Sequence, residues 1–424
     1  MTLLLIALFA LLLIGVPIAY SLGLSGLLYF LVLQPNLIGV LPQRVLSGMD
    51  TYTMIALPLF ILMGLIMNAS GITTRLIDFC LMLVGRFPGG LGHVNISTSM
   101  IFGGISGSSV SDTASVGSAM IPEMARKGYS TETASGITVA SSTMGMIIPP
   151  SVPMVIYAVT AQQSIGTMFL ASLLPGLMIG LFMMAVIALM AGRHGYPRAH
   201  AGLSATEKRL IIQRSVLALL IPVFVVGAVV GGVATATESA AIGVGYALFL
   251  GLVVFRSLTL RELPALLRSA VMTSATVMII IAMSQLYVWI LTMEQVPQLL
   301  AGYLGALELS PFMLLLVVAM AVLFIGTFVD VTPAILLITP VVLPILVAAG
   351  ISPVQFGVLL ISGLAIGLVT PPVGMCLNVC SSITGLSIGR IFRGALPFLL
   401  ANVLVMLLVA SVPALTLWPL MFFS

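Results

Sequence analysis

The chain has 424 residues, of which 60% are apolar and only 6% charged. A soluble protein would carry roughly a quarter charged residues, so the composition excludes an ordinary soluble domain. The net charge of +4 bears on membrane orientation and gives no footing for nucleic acid. Cys80, Cys376 and Cys380 make no disulfide framework, and with no His beside them they read as packing residues.

Along the chain, apolar stretches long enough to span hydrocarbon recur at 3–33, 168–192, 215–234, 237–255, 270–292 and 394–419. The first Lys or Arg is Arg44, so no basic n-region precedes the first stretch. Met1–Leu33 is therefore expected to be a retained helix and not a cleaved signal. The one long polar loop, 192–214, holds five of the fifteen basic residues and is placed in the cytoplasm. Treating 91–127 and 310–350 as re-entrant hairpins gives five crossings on each side of the loop, with both termini outside. Arg44, Arg86, Arg126, Lys127, Arg256, Arg261, Arg268, Arg390 and Arg393 then fall inside with the loop, and only Arg75 falls outside.

Sliding the chain against itself by 222 residues gives a gapless echo. Phe102, Gly104, Pro122, Gly128, Ser130, Gly145, Pro149 and Pro150 meet Phe324, Gly326, Pro344, Gly350, Ser352, Gly367, Pro371 and Pro372. Glycines and prolines fix backbone geometry, so the echo predicts a repeated shape. "SIG" at 164–166 returns at 387–389, one residue later. With an odd number of crossings per half, the second copy is inverted, which is the signature of a secondary transporter. The expected fold is all-α and polytopic, with two inverted repeats. The first covers 1–192: scaffold helices to about 86, a hairpin at 91–127, and a broken helix at 131–160. A cytoplasmic linker at 193–214 follows. The second covers 215–424: scaffold to about 292, a hairpin at 310–350, and a broken helix at 353–386.

The chemistry is expected at the breaks and hairpin tips. "MIIPPSVP" (146–153) and "LVTPPVGM" (368–375) each interrupt an apolar helix with two prolines, freeing carbonyls that suit a hard cation such as Na⁺. A plain proline kink explains one such break; two at matching positions favour ligation. "GGISGSSVSDTASVG" (103–117) offers glycines that allow a tight turn, the hydroxyls of Ser106, Ser108, Ser109 and Ser111, and the carboxylate of Asp112. The second hairpin offers "GTFVDVTP" (326–333), with Gly326, Thr327, Asp330 and Thr332. Intramembrane acids mark ion or substrate pathways. The expected cation set is therefore Ser106, Gly107, Ser108, Ser109, Asp112, Pro149 and Ser151, with Gly326, Thr327, Asp330, Thr332, Pro371 and Gly374. Ser108, Ser109, Pro150 and Asn378 are expected to meet substrate. Asp112 falls opposite Ala334 at offset 222, so equivalent roles for the two Asp residues need a local gap of four. The competing role for Asp112 is to cap the returning helix.

Enzyme readings are weak. "GISG" (104–107) has the Gly-x-Ser form of an intramembrane serine protease, but His93 near a hairpin base is its only candidate partner. Neither Asp lies in a Gly-x-Gly-Asp context, and there is no HExxH or Walker sequence. A passive channel would need a continuous polar stripe, whereas polar residues gather at tips and breaks.

"GGISGSSVSDTASVGSAMIPEMARKGYS", "MIIPPSVPMVIYA", "GGVATATESAAIG", "GTFVDVTPAILLITPVVLPI" and "LVTPPVGMCLNV" resemble the large membrane subunit of tripartite ATP-independent periplasmic (TRAP) transporters. The resemblance runs from the first helix to the last. One departure is Ala236, where the family usually has Pro before a Thr-Glu pair; Glu238 is retained. The resemblance implies an inner-membrane protein of a bacterium that moves a small organic acid inward on a Na⁺ gradient. It also implies an elevator mechanism, in which the domain holding both hairpins slides against a fixed scaffold. The implied partners are a small four-helix membrane subunit and a periplasmic substrate-binding protein. No cofactor is implied beyond Na⁺ as coupling ion. A stand-alone Na⁺-coupled dicarboxylate carrier is the neighbouring alternative.

Overall fold

Gly15, at φ +85°, and Pro17 divide the first apolar stretch into α1 (Thr2–Leu13) and α2 (Ile18–Leu33). Neither a positive φ nor a missing amide can continue a helix. The expected single helix over Met1–Leu33 is thus corrected to a pair that packs on itself, with Leu4 and Leu8 buried among Leu22, Tyr29 and Phe30. The computed structural model describes residues 2–50, 52–199, 204–305 and 309–422, and every regular element in them is a helix. The C-terminal Ser424, expected outside, lies beyond the described residues.

After α3 (Leu41–Ser47) come α4 (Ala56–Ala69) and α5 (Ile72–Val84), bent by 69° where Gly71 takes φ +63°. Helices α6 (Gly90–Ser106) and α7 (Ser109–Arg126) form the first hairpin. The prolines at 149–150 then separate α8 (Thr131–Ser142) from α9 (Val152–Thr160), and α10 (Ile165–His194) runs to the polar loop. Beyond the loop are α11 (Ala205–Val230), α12 (Ala236–Phe249, ending in a π turn over Leu250–Val254), α13 (Leu263–Met293) and α14 (Val296–Gly305). The second hairpin is α15 (Pro311–Gly326) with α16 (Val331–Ala348). The prolines at 371–372 separate α17 (Pro353–Gly367) from α18 (Met375–Thr384), and α19 (Ile388–Ser411) follows. Among the described residues six helices are long and apolar enough to cross a membrane, and the bent α4–α5 pair makes a seventh if counted as one span.

Helix boundaries in the two halves repeat at one offset. Helix α7 covers 109–126 and α16 covers 331–348, so both ends lie 222 residues apart. Ser130 caps α8 and Ser352 caps α17 at the same spacing. The Pro149–Pro150 and Pro371–Pro372 bonds are both cis. Each hairpin also meets its broken helix through glycine. A Cβ on Gly103 would fall 2.5 Å from Gly145 Cα, and one on Gly367 would fall 2.4 Å from the Gly326 carbonyl carbon. Only glycine lets backbones approach this closely.

The long α13 shows which groups share an end of the molecule. At 31 residues it spans about 45 Å. Arg44 stacks over Trp289 near its C-terminus, while Arg268 lies near its start. Arg44 therefore cannot share an end with Arg268. Arg75 does: its guanidinium lies over Phe255, its carbonyl accepts from Ser215 Oγ at 3.1 Å, and Arg214 is close enough to repel it. The expectation that Arg44 sits with the loop and Arg75 away from it is corrected on both counts. Helix α5 explains the second error. Its start is tied to the loop end, where Ser70 O accepts from Ser257 Oγ, and Gly85 beyond its far end bonds Ala199 in the loop itself. It returns to the face it left and makes no crossing.

Candidate functional site

A cavity of about 310 Å³ lies where both hairpin tips and both broken helices converge on α4 and α13. The first tip supplies Ser106, Gly107, Ser108, Ser109 and Ser111, and the second supplies Asp330 and Thr332. Met146, Val152 and Pro153 flank the first break; Leu368 and Met375 flank the second. The opposite wall is Ile61, Gly64, Leu65 and Asn68 of α4, with Thr273 and Val277 of α13.

Local chemistry explains how each tip is built. Gly107 ends α6 at φ +62°, a conformation other residues resist, and Ser108 then turns extended to cap α7, its hydroxyl accepting from Ser111 N at 3.4 Å. Asp330 does the same for α16, accepting from Val331 N at 2.8 Å. Ser108 and Asp330 are one offset of 222 apart, so the two tips align without the local gap of four. The capping role considered for Asp112 belongs to Ser108.

Asp112 sits one turn further along α7 and does not line the cavity. It is fully buried, and neither carboxylate oxygen makes a hydrogen bond of ordinary geometry, although Ser99 lies beside it. A buried carboxylate without donors requires a cation or a proton as company. Cys376 at the start of α18 touches Thr113 and Ser142 and lies within electrostatic range of both Asp112 and Asp330.

The first break rests directly on the first tip. A Cβ on Gly104 would lie 2.8 Å from the Pro149 carbonyl oxygen, and one on Gly107 would lie 3.6 Å from that of Pro150. Ser151 caps α9 and donates to the Met146 carbonyl at 2.5 Å. In the second half Gly326 is pressed against Leu364 and Gly367, Thr327 Oγ1 donates to Phe324 O at 2.8 Å, and Gly374 caps α18 at φ +49° beside the Thr370 carbonyl. Pro149, Pro150, Ser151, Pro371 and Gly374 thus stand behind the tips and not on the cavity surface. Asn378 is exposed and also off that surface, its amide donating to Val373 O at 2.8 Å across the second break.

Two groups went unmarked in the sequence. One is the wall formed by α4 and α13, above all Asn68, which accepts at 3.3 Å from both Thr73 and Ser115 and so links α4 to the first hairpin. The other is a polar interior behind the first tip. Asn95 donates to Thr138 at 2.6 Å, Ser141 to Ser99 at 3.0 Å, Ser109 to Ser142 O at 2.8 Å, and Asn402 to Thr143 at 2.8 Å. Single amides inside apolar stretches, such as Asn402 in "LLANVLVMLL", were the available signal.

Residues 5–415 match the family described as Tripartite ATP-independent periplasmic transporter, DctM component. The chain is 39% identical over 406 residues to the sialic acid TRAP transporter large permease protein of Vibrio cholerae, covering 95% of this chain and 94% of that one. It is 38% identical over 397 residues to the C4-dicarboxylate TRAP transporter large permease protein of Pseudomonas aeruginosa, covering 94% and 93%. Among solved structures, the YdaH transporter of Alcanivorax borkumensis shares the fold at a TM-score of 0.64 over 91% of this chain and 90% of that one, with 13% identity.

Proposed function

The chain belongs to the DctM-component family of tripartite ATP-independent periplasmic transporters, and from that premise we propose that it is the large permease of a Na⁺-coupled importer of a small organic acid. The observation that carries this reading is the convergence of two hairpin tips and two proline breaks on one cavity. The cavity offers hydroxyls and helix N-termini, which suit a carboxylate. Behind it, the carbonyls of the breaks suit Na⁺.

Two cation sites fit the repeat: one near Ser108, Ser109, Pro149 and Ser151, the other near Gly326, Thr327, Asp330 and Pro371. Each net charge moved inward gains roughly 2.3 kcal/mol per 100 mV of membrane potential. On this reading two Na⁺ entering with a monoanion harvest that once per cycle. The hairpins with their broken helices form the moving part of an elevator, and α4 and α13 belong to the fixed part. The protein resides in a bacterial inner membrane, with the 192–214 loop in the cytoplasm and the second half inverted relative to the first. A small membrane subunit completes the permease and a periplasmic binding protein delivers the acid. No step alters the substrate chemically.

The test is reconstitution of the large and small subunits in liposomes with the cognate binding protein outside. Uptake should require an inward Na⁺ gradient, rise with inside-negative potential and depend on Na⁺ sigmoidally. Uptake indifferent to Na⁺, or undiminished without the binding protein, would overturn the proposal.

A further inference from the structure

A second cleft lies at the end of the molecule away from the loop, between α3 and the last turns of α13. It holds about 350 Å³ and is lined by Arg44, Ser47, Gln285, Val288, Trp289 and Thr292. A smaller cavity of about 240 Å³ adjoins it through Ser47, Gln285 and Val288 and reaches Gln162, Leu336 and Pro340 on the hairpin-bearing side.

The cleft is built, not incidental. Phe30 stacks on Trp289 at 4.9 Å, and the Arg44 guanidinium lies over the same indole, 5.0 Å from its centroid. This three-member stack fixes the cation in place while leaving its N–H fork at the edges free. Arg44 forms no ion pair among the described residues, and the Glu294 carboxylate at the end of α13 accepts the Tyr29 hydroxyl. Gly48 permits α3 to settle directly on Gln285, since a Cβ there would fall 2.3 Å from Gln285 Cγ. Ser47 and Thr292 spend their hydroxyl protons on backbone carbonyls, so the donors facing the cleft are Arg44 and the Gln285 amide.

We propose that this cleft binds the phosphate headgroup of an anionic phospholipid, with Arg44 and Gln285 as its hydrogen-bond donors. A planar guanidinium beside an amide matches a phosphodiester. The setting favours lipid over a free anion. A partly exposed Trp at the end of a membrane helix marks the headgroup layer, and the exposed Leu33 and Leu46 offer flanking apolar surface to acyl chains.

The test uses the purified complex of large and small subunits in mild detergent, with palmitoyl-oleoyl phosphatidylglycerol, the matching phosphatidylcholine, and inorganic phosphate as separate probes. Native mass spectrometry and thermal unfolding should show phosphatidylglycerol retained and stabilising, and phosphatidylcholine much less so. Arg44→Gln should weaken phosphatidylglycerol retention about tenfold or more, the loss expected for a hydrogen bond to a charged group. Arg44→Lys should keep part of it. Gln285→Ala provides an independent loss if Arg44→Gln fails to yield a monodisperse complex. Equal retention of both lipids, or retention unchanged in both variants, overturns the proposal. Stabilisation by millimolar inorganic phosphate that matches phosphatidylglycerol overturns the lipid assignment and makes the cleft a free-anion site.

Discussion

Ser108 and Asp330 differ in charge yet perform one task, each capping the helix that returns from a hairpin tip. Composition alone invited the pairing of Asp112 with Asp330, because both are acids in an apolar chain. Which turn of the helix an acid occupies depends on where the preceding helix stops, and a shift of one turn there changes a cap into a buried charge. The capping role predicts that Ser108→Ala costs about 1 kcal/mol in thermal or denaturant unfolding, while Asp330→Asn, which still caps, costs a few tenths. Asp112→Asn preserves shape and removes charge. It should leave expression near normal and raise the Na⁺ concentration needed for uptake; an unchanged Na⁺ dependence would exclude Asp112 from cation binding. Ala236 is the first residue of α12, after an extended Thr235. Proline is preorganised for that position. Ala236→Pro should therefore raise stability by roughly 0.4–1 kcal/mol, read as a higher unfolding midpoint.

At the scale of elements, the hairpins and breaks were legible because glycine and proline act locally, within a turn of their own position. The bends at Gly15–Pro17 and at Gly71 carry the same residue types but have no partner at offset 222, so the repeat does not mark them. Whether such a bend joins two crossings or folds a helix back depends on what it packs against, which periodicity does not encode. The glycine contacts give a graded prediction. A Cβ on Gly145 would lie 3.2 Å from Gly103, whereas one on Gly367 would lie 2.4 Å from Gly326. Gly367→Ala should therefore destabilise more than Gly145→Ala, by an amount on the order of 1–3 kcal/mol. Gly245 on α12 has nothing within 4 Å of an added Cβ, so Gly245→Ala should gain up to about 1 kcal/mol from helix propensity alone. Thermal unfolding of the three purified variants would show whether this order holds.

Across the whole molecule, the exchange of Arg44 and Arg75 leaves the count of basic residues as uneven as before, so the imbalance alone does not reveal which residue is the exception. The rule sums over residues and is blind to which one is displaced. Cysteine replacing Gln43 should be labelled by an impermeant maleimide from the face opposite to cysteine replacing Ala205; labelling of both from one side would contradict the ends assigned along α13. The wall formed by α4 and α13 bears on the motion proposed above. Facing polar tips, it presents Ile61, Leu65 and Val277, with Asn68 and Thr273 as its polar groups. Between this wall and the first hairpin, the bond from Ser115 to Asn68 is long at 3.3 Å. In the elevator mechanism proposed above, a surface of this kind would behave as a bearing. Sliding along it exchanges one dispersion contact for another of similar depth, with few directional bonds to be broken in step. In that mechanism the tips would be held rigidly by glycine on their own side and loosely on the other, so that friction, and not latching, would set the pace of travel.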